Sequence, residues 1–123
     1  MIGSMLVWCG VAILGGLGAI ARFKLDGLVQ GRFDTEFPFG TFVVNGLGSL
    51  VLGLLIGLRV SENAMLLAGV ATIGSFTTFS TWMLETQRLG EDGEGGLALA
   101  NVAGSIVLGL GAAGVGWAIG AAL

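Results

Sequence analysis

Polar positions along this chain are crowded into short charged windows, and between them run long blocks with no charge at all. The uncharged blocks are residues 1 to 21, 37 to 58, 63 to 84 and 95 to 123, that is 21, 22, 22 and 29 residues. A bilayer core of about 30 Å needs roughly 20 apolar residues of helix, so each block is long enough to span it. The pattern predicts an all-α membrane protein with four transmembrane helices in a single domain, residues 1–123. Connections of roughly 15, 4 and 10 residues leave no room for an extramembrane domain. A transmembrane β-barrel is disfavoured, because the signal is continuous apolarity and not alternation over about ten residues.

The first helix is expected from Ile2 to Phe23, ending where Arg22 and Lys24 can snorkel towards headgroups. The loop after it, with Asp26, Gly31, Arg32, Asp34 and Glu36, retains at most an amphipathic turn. Phe37, Pro38, Phe39 and Phe42 open the second helix, with Pro38 where a missing N–H is tolerated, and Arg59 closes it. Ser61 and Asn63 are both candidate caps for the third helix, which must form an antiparallel hairpin with the second. Glu85 and Arg88 mark its far end, Gly90 to Gly96 reads as a flexible loop, and the fourth helix runs to the C-terminus with Trp117 as an interfacial anchor.

Composition changes this picture in three ways. Glycine supplies 24 of 123 residues, poor helix chemistry in water but common in membrane helices, where small residues let backbones approach. Gly53 and Gly57, and Ala112, Gly116 and Gly120, form small-xxx-small series that suit intrachain packing and a subunit interface equally well. The chain has no His and one Cys, Cys9, so imidazole chemistry, an intrachain disulfide and a thiolate metal cluster are excluded. A secretory signal peptide is not expected, since the first ten residues carry no Lys or Arg, and Trp8 argues against a lipid anchor at Cys9. The net charge of -3 owes most to Glu91, Asp92 and Glu94, a solvated turn, and points to no nucleic acid.

One repeat stands out. Asn45-Gly-Leu-Gly-Ser49-Leu-Val-Leu-Gly-Leu54 matches Asn101-Val-Ala-Gly-Ser105-Ile-Val-Leu-Gly-Leu110 at seven of ten positions, and pairs two of the chain's three Asn. Asn45, Ser49, Gly53 and Gly57 recur every four residues and make one polar and small stripe along the second helix. Polar side chains inside a membrane helix are either packing glue or the wall of a polar path. The third helix favours the path. Between Thr72 and Thr81 six of ten residues carry a hydroxyl, next to Gly74, which predicts a helix broken near mid-membrane. Unwound backbone at that depth is tolerated only when buried in protein or lining a cavity. No Asp, Glu, Lys or Arg lies within any block, which disfavours proton-coupled export of the small multidrug antiporter kind. Neutral amides, hydroxyls and electropositive ring edges suit a small anion, which they can desolvate without trapping it.

Three stretches carry a family resemblance: Gly18-Ala19-Ile20-Ala21-Arg22-Phe23, Gly40-Thr41-Phe42-Val43-Val44-Asn45-Gly46-Leu47-Gly48-Ser49, and Gly74-Ser75-Phe76-Thr77-Thr78-Phe79-Ser80-Thr81-Trp82 with Glu85. Together they resemble the Fluc (CrcB) fluoride channels of microbes. The resemblance implies a multi-pass protein of the cell membrane, an antiparallel dual-topology dimer with two fluoride pores, and passive export of fluoride that enters as the neutral acid. It implies that Asn45 and Phe79 line the pore, that Trp82 takes a ring position where the family usually has Phe, and that Ser80 and Thr81 form a polar track. It further implies a structural sodium ion held by backbone carbonyls of Gly74 and Thr77, a positive vestibule at Arg22, a helix-three carboxylate at Glu85, and a pore-side serine at Ser105. Asn101 stands where many members have a pore Tyr. Arg22, Lys24, Arg32 and Arg88 lie on one side of the membrane and Arg59 alone on the other, a bias that suggests a subunit of fixed orientation paired with a paralogue. The rival readings are a small multidrug-type antiporter and a non-conducting partner subunit.

Overall fold

The computed structural model describes residues 2–123. Four helices in it are long and apolar enough to cross a membrane: α1 (Ile2–Gln30), α2 (Phe39–Gly57), α3 (Glu62–Glu91) and α4 (Gly95–Ala122). Burial ranks them. Of the most apolar window of α2, 28% is buried, against 6%, 11% and 6% for α1, α3 and α4, so α2 is the central helix. The buried core is thin, Val44, Ala71 and Leu89 with Thr41 and Asn101, while Leu6, Ile13, Val70, Val107 and Leu110 face outwards. Such a surface is tolerable in lipid or against a partner, and not in water.

Several boundaries differ from expectation for physical reasons. The charges at Arg22 and Lys24 do not mark where the backbone unwinds, and α1 continues through them to Gln30, just before Gly31. Gln30 then organises the turn. Its amide nitrogen donates to the carbonyls of Thr35 at 3.4 Å and Phe37 at 3.2 Å, and its oxygen accepts from the Gly40 N–H at 3.0 Å. One side chain thus fastens the loop and satisfies an orphan donor in the first turn of α2. Pro38 sits in the cap position of α2, among the rings of Phe33, Phe37, Phe39 and Phe42. At the other end α2 stops at Gly57, and Arg59 takes the left-handed conformation with φ 55. Ser61 caps α3 by accepting from the Ala64 N–H at 3.2 Å, whereas Asn63 lies inside the helix. The expected glycine loop contracts to residues 92–94, turned by Gly93 at φ 79, with Gly90 in α3 and Gly95 and Gly96 in α4.

The small-residue series resolve as intrachain packing. A Cβ on Gly53 would fall on the carbonyl of Ala113, one on Gly57 on that of Trp117, and one on Gly116 on that of Leu50. Backbone therefore touches backbone along the α2–α4 seam, which only glycine permits.

α3 is bent, and its winding changes four times. An α turn, Glu62–Ala64, passes into a π-helix over Met65–Ile73 and then into a second α turn, Gly74–Phe76. Residues 77–79 are not helical, and Ser80–Glu91 resumes as α-helix. The break anticipated from the hydroxyl cluster lies midway along α3. Helix order places the ends of α1 and α3 on the side where α2 and α4 begin, with Arg22, Lys24, Arg32 and Arg88 nearest it.

Candidate functional site

The break in α3 is held open from both sides. Thr77 is extended, with ψ 162, while its N–H and hydroxyl both return to the Ile73 carbonyl, at 2.9 and 3.0 Å. Asn45 on α2 then clasps the next residue: its amide nitrogen donates to the Thr78 carbonyl at 2.9 Å, and its oxygen accepts from the Thr78 N–H at 2.8 Å. The Asn side chain replaces the two helical bonds that Thr78 forgoes, so the backbone can stay unwound without leaving those two groups unpaired. The Thr78 hydroxyl accepts from the Thr81 N–H at 3.2 Å and so caps the second half of α3. From α1, the Arg22 Nε donates to the Ser75 carbonyl at 3.3 Å, placing the guanidinium beside the break and not at the end of its helix.

Beside the break runs a groove of about 470 Å³, walled by Asn45, Ser49, Gly74, Thr77, Phe79 and Trp82 among others. Every residue lining it is neutral. Phe79 is 70% exposed and meets Trp82 edge to face, with ring centroids 5.6 Å apart and planes at 81°. Ser80 is exposed and Thr81 half-buried, and neither hydroxyl makes a hydrogen bond among the described residues. By contrast, the Ser49 hydroxyl is spent on the Asn45 carbonyl at 2.8 Å. The carbonyls of Gly74 and Thr77 accept no hydrogen bond from the described residues, and Gly74 is exposed.

The second copy of the repeat reaches the other half of α3. Asn101 is fully buried at 0% exposure, with its amide on the Thr86 hydroxyl at 2.9 Å, and Ser105 lies 3.5 Å from the Asn101 side-chain oxygen. Both repeat asparagines therefore bind α3 beyond its first half, Asn45 at the break and Asn101 two turns later. Glu85 stands apart from the groove, with one carboxylate oxygen buried beside the hydroxyl of Thr41, which is 2% exposed. Sequence reasoning passed over Thr41, Thr78, Thr86 and Gln30 as site residues. The only signal for Thr86 was its place one turn after Trp82, and none marked Gln30.

Four candidate membrane helices, with a charge-free groove of amide, hydroxyl and ring edges walled by the second and the interrupted third, define a class: a small multi-pass membrane protein with an uncharged polar groove. Comparison narrows the class. The family model described as "CrcB-like protein, Camphor Resistance (CrcB)" matches residues 9–117, and the chain belongs to that family. It is 54% identical over 113 residues to the fluoride-specific ion channel FluC 2 of Mycolicibacterium paratuberculosis, covering 92% of this chain and 93% of that one. The FluC 2 of Mycobacterium tuberculosis is 51% identical over 110 residues, covering 89% and 87%. The fluoride-specific ion channel FluC 1 of Frankia casuarinae is 43% identical over 128 residues, covering 97% and 96%.

Proposed function

We propose that this chain is the subunit of a fluoride-selective channel of the cell membrane that lets fluoride leave the cytoplasm passively. What carries the fluoride assignment is its 54% identity, over 92% of its length, to a protein of that activity. The groove's chemistry agrees, because fluoride needs donors that replace its hydration without a fixed charge that would hold it. The second amide hydrogen of Asn45 is such a donor in the groove, the edges of Phe79 and Trp82 that wall it are electropositive, and the hydroxyls of Ser80 and Thr81, next along α3, would continue the polar track beyond it. Ser105 and Asn101 back this wall from α4, Arg22 supplies positive potential beside the break, and Glu85 on α3 lies farther along beside Thr41 on α2.

In this reading the conducting unit is an antiparallel dimer. Each protomer's groove is open along Phe79 and Val70, which are 70% and 63% exposed, and a second copy would close it. The residues present fit a structural sodium ion at that interface. The carbonyls of Gly74 and Thr77 are unpartnered, and a Cβ at Gly74 would meet nothing nearer than the Gly69 carbonyl at 3.9 Å. Those oxygens would hold the ion, and it would supply fixed positive charge that the side chains of the groove lack.

A partner of different sequence is favoured by one observation. Arg22, Lys24, Arg32 and Arg88 against Arg59 alone is a bias that would hold this chain in a single orientation, so that a paralogue would provide the inverted subunit. Fluoride efflux from liposomes holding the purified chain alone, with chloride as control, tests the assignment. Fluoride efflux without chloride efflux is expected, and its absence from assembled homodimers overturns the homodimeric channel. Activity from such homodimers removes the need for a paralogue.

A further inference from the structure

Trp82 has two ends with different surroundings. Its rings wall the groove and stand edge-on to Phe79, while its indole N–H turns to α4 and donates to the Asn101 backbone carbonyl at 3.2 Å. An indole beside an anion path would ordinarily offer that N–H to the ion, as it has no acceptor capacity of its own to satisfy. Here the donor is spent inside the protomer. Around the bond sits a closed polar set. The fully buried Asn101 amide donates to the Thr86 hydroxyl at 2.9 Å and, at 3.5 Å, to the Trp82 carbonyl. The Thr86 hydroxyl donates to the same Trp82 carbonyl at 2.8 Å. A buried amide is costly to leave unpaired, so this set holds one geometry between α3 and α4.

We infer that Asn101 is a positioning residue for Trp82: with Thr86 it clasps α4 to the second half of α3 and fixes the carbonyl on which the indole is tethered. Trp82 then shows the groove ring carbon and no N–H, and the donors along the path stay limited to Asn45, Ser80 and Thr81. Trp82 and Asn101 are a coupled pair and not two independent features. The effect of the clasp on ion flux rests on the fluoride-channel reading above, whereas its effect on the indole does not.

The experiment uses the full chain carrying Trp8→Phe and Trp117→Phe, which leaves Trp82 the sole indole of the original three. In liposomes, Thr86→Val removes both the acceptor for Asn101 and a donor to Trp82, while Thr86→Ser keeps both. Thr86→Val is expected to lower the fluorescence anisotropy of Trp82 and to slow fluoride efflux by about tenfold, the factor that one ordinary hydrogen bond sets, with Thr86→Ser within about twofold of the parent. Placed in a Trp82→Phe background, Thr86→Val should cost less than about twofold, since the ring it positions has no N–H to tether. An equal cost in both backgrounds would show that the clasp only maintains the fold, and unchanged anisotropy would show that it does not hold the indole. Either result overturns the proposal. A parent that carries no fluoride would defeat the channel reading, and the anisotropy comparison would still decide the clasp.

Discussion

Asn45→Leu keeps the branched shape of the side chain, at somewhat larger volume, and removes both hydrogen bonds that hold the break in α3. Those bonds run in opposite directions, to the Thr78 carbonyl at 2.9 Å and from its N–H at 2.8 Å, so the substitution orphans both backbone groups of one residue. An unsatisfied buried group costs about 1–3 kcal/mol, and hydrogen bonds between membrane helices average about 0.6 kcal/mol with a ceiling near 1.7. The groove beside Thr78 lets water reach the peptide in part, which favours the lower figures. Two bonds then give about 1–3 kcal/mol, or roughly 5- to 150-fold in the population of the native break. Fluoride efflux per folded protein, read with a fluoride electrode on liposomes, should fall by about tenfold or more, and hydrogen exchange at the Thr78 amide should quicken. Asn45→Asp supplies a graded version. Its ionised carboxylate still accepts from the Thr78 N–H but opposes an oxygen to the Thr78 carbonyl, while the protonated acid can donate there. Efflux through Asn45→Asp should therefore recover as pH is lowered. An Asn45→Leu protein that conducts within about twofold of the parent, with Thr78 still protected, would show that the break does not depend on this clasp.

Phe79→Ile replaces an electropositive ring edge by methyl groups at the most exposed position of the groove wall and should suppress fluoride efflux strongly in the same liposome assay. Ser80→Ala with Thr81→Val removes hydroxyls that make no hydrogen bond among the described residues and should slow efflux, whereas Ser49→Ala, whose hydroxyl donates to the Asn45 carbonyl, should change it little. Gly116→Leu would drive a side chain into the Leu50 backbone and should lower thermal stability in detergent by about 3 kcal/mol or more, while Gly111→Leu, with nothing within 4 Å of its Cβ, should not.

The four spans were legible because charge is excluded from lipid, and that exclusion is written position by position into the sequence. The break in α3 was legible for a related reason: six hydroxyls cannot all be accommodated as ordinary apolar helix. The end of α1 was not, since the helix simply continues through Arg22 and Lys24 to Gln30. Glycine misled at the 90–96 turn, where only Gly93 takes the left-handed conformation, while Gly95 and Gly96 are wound into the first turn of α4 although both are exposed. The partners of side chains were least legible. Asn45 and Asn101 head similar motifs, yet one clasps the unwound backbone at Thr78 and the other a threonine side chain, because α3 presents different groups to α2 and α4. Gln30 fastens a whole loop through three bonds that exist only after the chain has turned back on itself.

The wide winding over Met65–Ile73 has a consequence for how this segment can change over evolutionary time. A π-helix holds one residue more per turn than its neighbours expect, in effect an insertion absorbed without a loop. Deleting residues there would change the winding and the rise of the stretch together, turning and shifting everything after it relative to α2. Thr78 would then leave Asn45, and Phe79 and Trp82 would swing out of the groove. Side chains in this stretch can be exchanged one for another, but its length cannot vary.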